Sequence, residues 1–175
     1  MNDATTVTPT TPRTTAGATL RPATPDDVDA VAELWADGWL DGHLGHVPDA
    51  LCEHRRPADF LARVPARLGT TTVAVDGRTV VGFVTVAGDE VEQLYVAATA
   101  RGGDVAAALL DHGEWTIGAR HDVAWLAVVA GNARARRFYV RRGWRDAGLF
   151  AHRADIAGGT IAVPSHRYDK TVVGR

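Results

Sequence analysis

The chain has 175 residues, 46% of them hydrophobic, enough for one compact domain with a core and short of what two would need. Its formal net charge is -2, and acidic residues are spread along it, so the arginines gathered between Arg134 and Arg145 do not make the uniformly basic field of a nucleic-acid-binding protein. A single cysteine, Cys52, excludes an intrachain disulfide and a multi-cysteine zinc site and points to a reducing, cytoplasmic setting, while no apolar run reaches the roughly eighteen residues of a membrane span.

Residues 1–17 are rich in threonine, proline and small residues with little to bury, and read as a disordered N-terminal tail before a single domain over 18–175. The folded part is expected to begin near Thr19 with a short extended segment. A helix follows, with Thr24 as its N-cap, Pro25 at its first position and Asp27 three residues after the cap. Val28, Val31, Ala32, Leu34, Trp35 and Trp39 recur at helical spacing, giving it one buried face. Trp35 and Trp39, four apart, pack in the core or wall a pocket. The stretch from Asp41 to Arg55 reads as a loop or short turns, and the next helical segment bends or breaks at Pro65.

From Thr70 the period changes to that of strands. Two β-rich runs meet at Asp76-Gly77, a hairpin signal, and residues 89–99 supply a third strand of an antiparallel meander. Simple alternation along it puts Glu92, Leu94 and Val96 on one face and Gln93 and Tyr95 on the other. A helix from about Asp104, a strand ending at Gly131-Asn132, a helix capped by Asn132 and stopped by Gly143, and two strands around a turn at Ala157-Gly159 complete the order. That order predicts an α/β (α+β) domain on a mixed, mostly antiparallel sheet flanked by helices.

Between the third strand and its helix stands Arg101-Gly102-Gly103-Asp104. The glycines admit close backbone approach, the helix start leaves amides unpaired, and the arginine adds a fork for phosphate oxygens, although such turns also occur with no ligand at all. "EQLYVAATARGGDVAAALLDHGEW" followed by "VAWLAVVAGNARARRFYVRRGW" resembles the GNAT superfamily of acyl-CoA-dependent N-acyltransferases, over about residues 70 to 145. The family's phosphate loop has arginine or glutamine, two variable residues, glycine, one variable residue, then glycine or alanine. Arg101 and Ala106 match its ends, and Asp104 replaces its middle glycine. Asn132, Ala135, Phe138-Tyr139, Arg142 and Gly143-Trp144 match its downstream segment.

No histidine pair has an HExxH arrangement or another metal-ligand spacing, so no metal is expected. The resemblance implies acetyl-CoA as co-substrate and direct transfer to an amine. It implies that pantetheine lies where the strand around Leu94, Tyr95 and Val96 splays from the one around Trp125 to Val129. Pyrophosphate would rest on amides from Gly102 through Gly103, Asp104, Val105 and Ala106 to Ala107, beside Arg101, with Asn132, Ala135 and Phe138 lower in the site. Tyr139 is then the candidate general acid and Glu92 the candidate base, with Glu90 in reserve; a packing tyrosine and a strand-edge carboxylate are the plainer readings. His43, His46, His54, His152 and His166 are further candidates for base or substrate contact, and Cys52 reads as a passive thiol. The expected acceptor is a small-molecule primary amine. A protein N-terminus or lysine, or noncatalytic binding of acyl-CoA, are the alternatives, and a homodimer is compatible with the resemblance. Asp104 either caps the helix with its carboxylate or turns outward, which leaves the loop amides free; the outward form is the one expected.

Overall fold

The computed structural model describes residues 14–15 and 17–172; the rest of the expected tail lies outside them. A two-residue strand β1 (Thr14–Thr15) turns back onto β2 (Ala18–Pro22), so pairing begins ahead of Thr19. A 3-10 turn, Pro25–Asp27, leads into α1 (Val28–His43). Then come α2 (Asp49–Cys52) and α3 (Pro57–Arg63), and a second 3-10 segment starts at Pro65, where the ring forbids helix continuation. The meander is β3 (Thr71–Asp76), β4 (Thr79–Ala87) and β5 (Glu90–Val96). After it the chain runs α4 (Val105–Gly118), β6 (Val123–Val129), α5 (Ala133–Arg141), β7 (Arg145–Ile156) and β8 (Gly159–Thr171).

The strands form one mixed sheet in the order β1-β2-β3-β4-β5-β6-β8-β7, and only the β5–β6 neighbours are parallel. Two apolar layers cover it. On one face Leu109, Leu110 and Ile117 of α4 pack with Val84, Val86, Val91 and Leu126, and Tyr139 of α5 joins them. On the other, Trp35 and Trp39 of α1 and Phe60 of α3 pack with Val73, Phe83 and Val129. Full burial of side chains such as Leu109 and Phe60 stabilises the fold by about 1.5–3 kcal/mol each.

The entry into α1 is held by Asp27, 4% exposed, which accepts from Thr24 N at 2.8 Å and from Thr24 Oγ1 at 2.9 Å. Arg21 on β2 donates to both its carboxylate oxygens at 2.7 Å, and this pairing draws the acid down to about 2. The predicted cap sequence therefore ties a strand to a helix as well as starting the helix.

Two features set up the site. Strands β5 and β6 pair at a single position, Glu90 with Trp125, and then diverge, so the β6-facing backbone of β5 past Glu90 has no strand partner among the described residues. The second feature is a register shift in the β4–β5 ladder: Thr85 faces Gln93 but Val86 faces Val91, so Glu92 is an extra residue. This bulge corrects the simple alternation read from the sequence. Leu94 and Val96 pack on the α4 face, whereas Glu92 and Tyr95 share a cavity on the α1 face.

Candidate functional site

Two cavities meet at the fork between β5 and β6. The first, about 250 Å³, lies between β5 and α5 and is lined by Leu94, Tyr95, Val96, Arg101, Gly102, Gly103, Ala106, Asn132, Ala135, Phe138 and Tyr139. The second, about 510 Å³, lies under α1 and the β7–β8 hairpin, and includes Trp35, Trp39, Arg55, Glu90, Glu92 and His152. His43 and Tyr95 line both, so they stand where the two spaces meet.

The loop feeding α4 has the conformation its glycines suggest. Gly102 sits at φ +83°, a left-handed conformation that a side chain would resist, whereas a Cβ on Gly103 would stand in ordinary contact, 3.8 Å from Ala100 O. Asp104 takes the N-cap position, yet its side chain makes no capping bond and is exposed. Of the two forms considered, the outward one is present. Val105 turns into the core at 8% exposure, and neither it, Asp104 nor Ala107 lines the cavity. Arg101 pairs with Asp41 of α1 at 2.9 Å, and Arg134 of α5 pairs with the same carboxylate. The Arg134 hydrogen bond, with Arg101 beside it, holds Asp41 below the usual carboxylate range.

Asn132 is the cap expected of it: its side-chain oxygen accepts from Ala135 N at 3.0 Å while the residue lines the first cavity. Helix α5 thereby presents Phe138 and Tyr139 to that cavity. Tyr139, 9% exposed, contacts the rings of Phe138, Trp144 and Tyr168. Burial raises its hydroxyl, so it keeps its proton well into the alkaline range. The Tyr95 hydroxyl is raised for the same reason, with Trp35 beside it acting in the opposite direction.

The two carboxylates of β5 differ in their partners. Glu92 lines the second cavity, and Arg67 donates to both its oxygens, from Nε at 3.0 and 3.2 Å and from Nη2 at 2.7 Å. Glu90 makes no such pair among the described residues; burial, then the neighbouring charges of Glu92 and Asp89, push it up to about 7. A group that titrates near neutrality can both take and give a proton there.

Of the histidines, His43 and His152 reach the second cavity; His46, His54 and His166 line neither. The ring of His43 stacks on Trp39 at 5.1 Å and its Nδ1 donates to Trp39 O at 3.0 Å, which leaves Nε2 as an acceptor. Burial drops it to about 4, so it is neutral at pH 7. His166 is engaged with Asp146 at 2.9 Å on another surface. Trp35 and Trp39 are both core and wall: 6% and 5% exposed, they also line the second cavity. Cys52 is a free thiol whose sulfur lies 4.0 Å from Pro48 O.

Sequence reasoning did not single out Gly38 and Gly42, which lie one turn apart on α1 and line the first cavity. A Cβ on Gly38 would stand 2.3 Å from the Tyr95 ring, and one on Gly42 would stand 2.9 Å from Asn132 Nδ2. Two glycines at i and i+4 in an amphipathic helix were the available signal for so close an approach. Arg134 and Arg141 of α5 line the same cavity. Among the described residues no group of three or more His, Cys, Asp or Glu is placed to hold a metal, and no helix is long and apolar enough to cross a membrane.

Solved structures share this architecture. A GCN5-related N-acetyltransferase (aminotransferase, class II) from Rhodopseudomonas palustris is 24% identical, with a TM-score of 0.68 over 94% of this chain and 98% of its own. An N-acetyltransferase from Staphylococcus aureus Mu50 is 17% identical, with a TM-score of 0.67 over 89% and 98%. PaiA N-acetyltransferase from Thermoplasma acidophilum, solved in complex with coenzyme A, is 16% identical, with a TM-score of 0.60 over 88% and 98%. At these identities the likeness shows the fold. No curated protein matches in sequence. The model of the acetyltransferase (GNAT) family matches residues 28–144, more than half of the chain, and the chain belongs to that family of acyl-CoA-dependent acetyltransferases.

Proposed function

We infer that this chain transfers an acetyl group from acetyl-CoA to a primary amine of a small molecule, donor and acceptor bound together at the β5–β6 fork. The observation that carries this is the pair of cavities sharing His43 and Tyr95, with Tyr139 on one side and Glu90 on the other.

The first cavity fits acyl-CoA. Its walls at Leu94, Val96, Ala106, Ala135 and Phe138 are apolar, Arg101, Arg134 and Arg141 line it as cations, and Gly102 opens a backbone approach to a helix N-terminus. The unpaired edge of β5 supplies amide and carbonyl groups for a ligand with its own amides. Acetyl-CoA bound there supplies an activated acetyl thioester.

The residues of the chain do the rest. Glu90 accepts the proton that a bound ammonium must lose before it becomes a nucleophile, directly or through water. Glu92, fixed by Arg67, shapes the cavity wall; the sequence made it the first choice for base, and its engaged oxygens move that role to Glu90. Tyr139 holds a proton in the donor cavity and gives it to the departing thiolate. His43, neutral and with Nε2 free to accept, orients the amine where the cavities join. Positioning two reactants in adjoining spaces supplies much of the acceleration.

The aromatic wall of Trp35 and Trp39 supports a small acceptor over a protein segment. Asp104, a negative charge in the loop, is exposed and lies outside the lining of the donor cavity, so its charge gives no ground for the noncatalytic reading. The test is thiol release from acetyl-CoA across amino acids, polyamines and aminoglycosides, with direct CoA binding beside it. Release with at least one amine is expected; CoA binding with release only when a protein or peptide is added would overturn the small-molecule reading.

A further inference from the structure

The acceptor cavity holds more positive charge than its own carboxylates take up. Arg67 is paired with Glu92 at 2.7 Å. Arg55 and Arg63 line the same cavity, and both donate to one backbone oxygen, Asp155 O, at 2.9 and 3.1 Å. The other donor contact of Arg55 is again to a carbonyl, His54 O at 2.9 Å. Among the described residues neither guanidinium has a carboxylate oxygen within ion-pair distance.

Carbonyl oxygens carry only part of a charge, so a half-buried cation held by them alone is incompletely compensated. Burial and the nearby Arg63 draw Arg55 down to about 10, while Asp59 and Asp155 oppose this from beyond ion-pair range. Arg55 still carries its charge at neutral pH. It stands 6.0 Å from the centre of the Trp39 ring, on the aromatic wall, and Glu90 lines the same space from β5. The cavity therefore offers a proton-accepting group on one strand and, separately, a fork of donors short of an anion.

We propose that the acceptor is a primary amine carrying its own acid group, a carboxylate or phosphonate, which Arg55 binds with Arg63 beside it while the amine faces Glu90. A guanidinium fork matches two oxygens of such a group, and Trp35 and Trp39 cover the carbon skeleton between the two ends. The same arginines repel polyamines, whose second charge is positive. This assignment rests on the second cavity being the acceptor site.

Matched pairs of amines test it on the full chain: phenylalanine against phenethylamine, 4-aminobutyrate against butylamine, and 3-aminopropylphosphonate against propylamine. The indole N–H resonances of Trp35 and Trp39 report binding whether or not turnover follows. At least one acid member should bind tenfold or more tightly than its partner without the acid group. Arg55→Gln should remove that preference by weakening the acid member alone, and Arg55→Lys should keep part of it. Loss of fold would weaken both members and show in thermal melting, in which case Arg55→Lys and Arg63→Gln decide. Equal binding within every pair, no binding of any acid member, or a preference that survives loss of the Arg55 charge would overturn the proposal. Thiol release measured in parallel keeps the two readings apart. Acid-selective binding without release contradicts acetyl transfer to these amines, whereas release with the acid-free amines alone refutes the selectivity and leaves the transfer standing.

Discussion

Replacing Glu90 with glutamine should make the protein more stable and less active at the same pH. The carboxyl is held at about 7 against its ordinary 4.5, chiefly by burial. Between those values the folded chain keeps a proton that the unfolded chain releases, so stability is fully present below pH 4.5 and falls as pH rises through 7. A shift of that size corresponds to about 3 kcal/mol, and screening of a half-exposed group reduces it to about 1–2 kcal/mol. The isosteric amide bears no charge to bury. Glu90→Gln should therefore melt about 3–6 °C above the parent at pH 8 and level with it at pH 4.5. Taking the difference between the two proteins at each pH cancels every other titrating group. Activity should move the opposite way, with kcat/KM down about a hundredfold or more and the limb near pH 7 gone. A melting difference that does not vary with pH would refute the electrostatic argument, and an unaltered pH–rate profile would refute the base assignment.

Tyr139→Phe removes a hydroxyl with little change of shape and should lower kcat about a hundredfold while leaving acetyl-CoA binding within a few-fold, read by steady-state kinetics and direct titration. Gly38→Ala places a Cβ 2.3 Å from the Tyr95 ring; the overpacking, about 1–3 kcal/mol, should outweigh the helix-propensity gain of about 1 kcal/mol and displace the residue shared by both cavities. Denaturant unfolding and kcat/KM should both fall, and a more stable, fully active variant would contradict the packing described. Asp27→Ala breaks the Arg21 pair and the turn into α1, and should lower stability by about 2–4 kcal/mol at pH 7. Because pairing lowers that carboxyl to about 2, its contribution is present above pH 3.8 and lost as pH falls through 2, so parent and variant should converge in strong acid. Asp104→Gly should leave CoA affinity equal or slightly tighter at low salt, and clearly weaker binding would give the carboxylate a constructive role.

Local chemistry was readable where a few neighbouring residues decide the structure. Asn132 capping α5, Pro65 ending α3, Gly102 in a left-handed turn and the hairpin at Asp76-Gly77 all follow from side chains within a turn or two. The fork between β5 and β6 was expected from the resemblance and is present. The bulge at Glu92 was not legible, because one extra residue leaves no compositional trace and shows only in the ladder with β4. For the same reason Glu92 outranked Glu90: burial of one and capture of the other by Arg67, 25 residues away, exist only after folding. The meeting of Arg55 with Asp155, 100 residues apart, was equally out of reach of spacing arguments.

The central claim is that acyl-CoA lies in the cavity between β5 and α5, across the fork from the acceptor. Titrating isotopically labelled protein with CoA tests this directly through backbone amide resonances. CoA should give saturable shifts concentrated at Leu94 to Val96, Gly102 to Ala106 and Asn132 to Tyr139, with the amides of α3 and the β7–β8 turn unmoved. Absence of shifts, or shifts centred on Arg55, Arg63 and Asp155 instead, would contradict it.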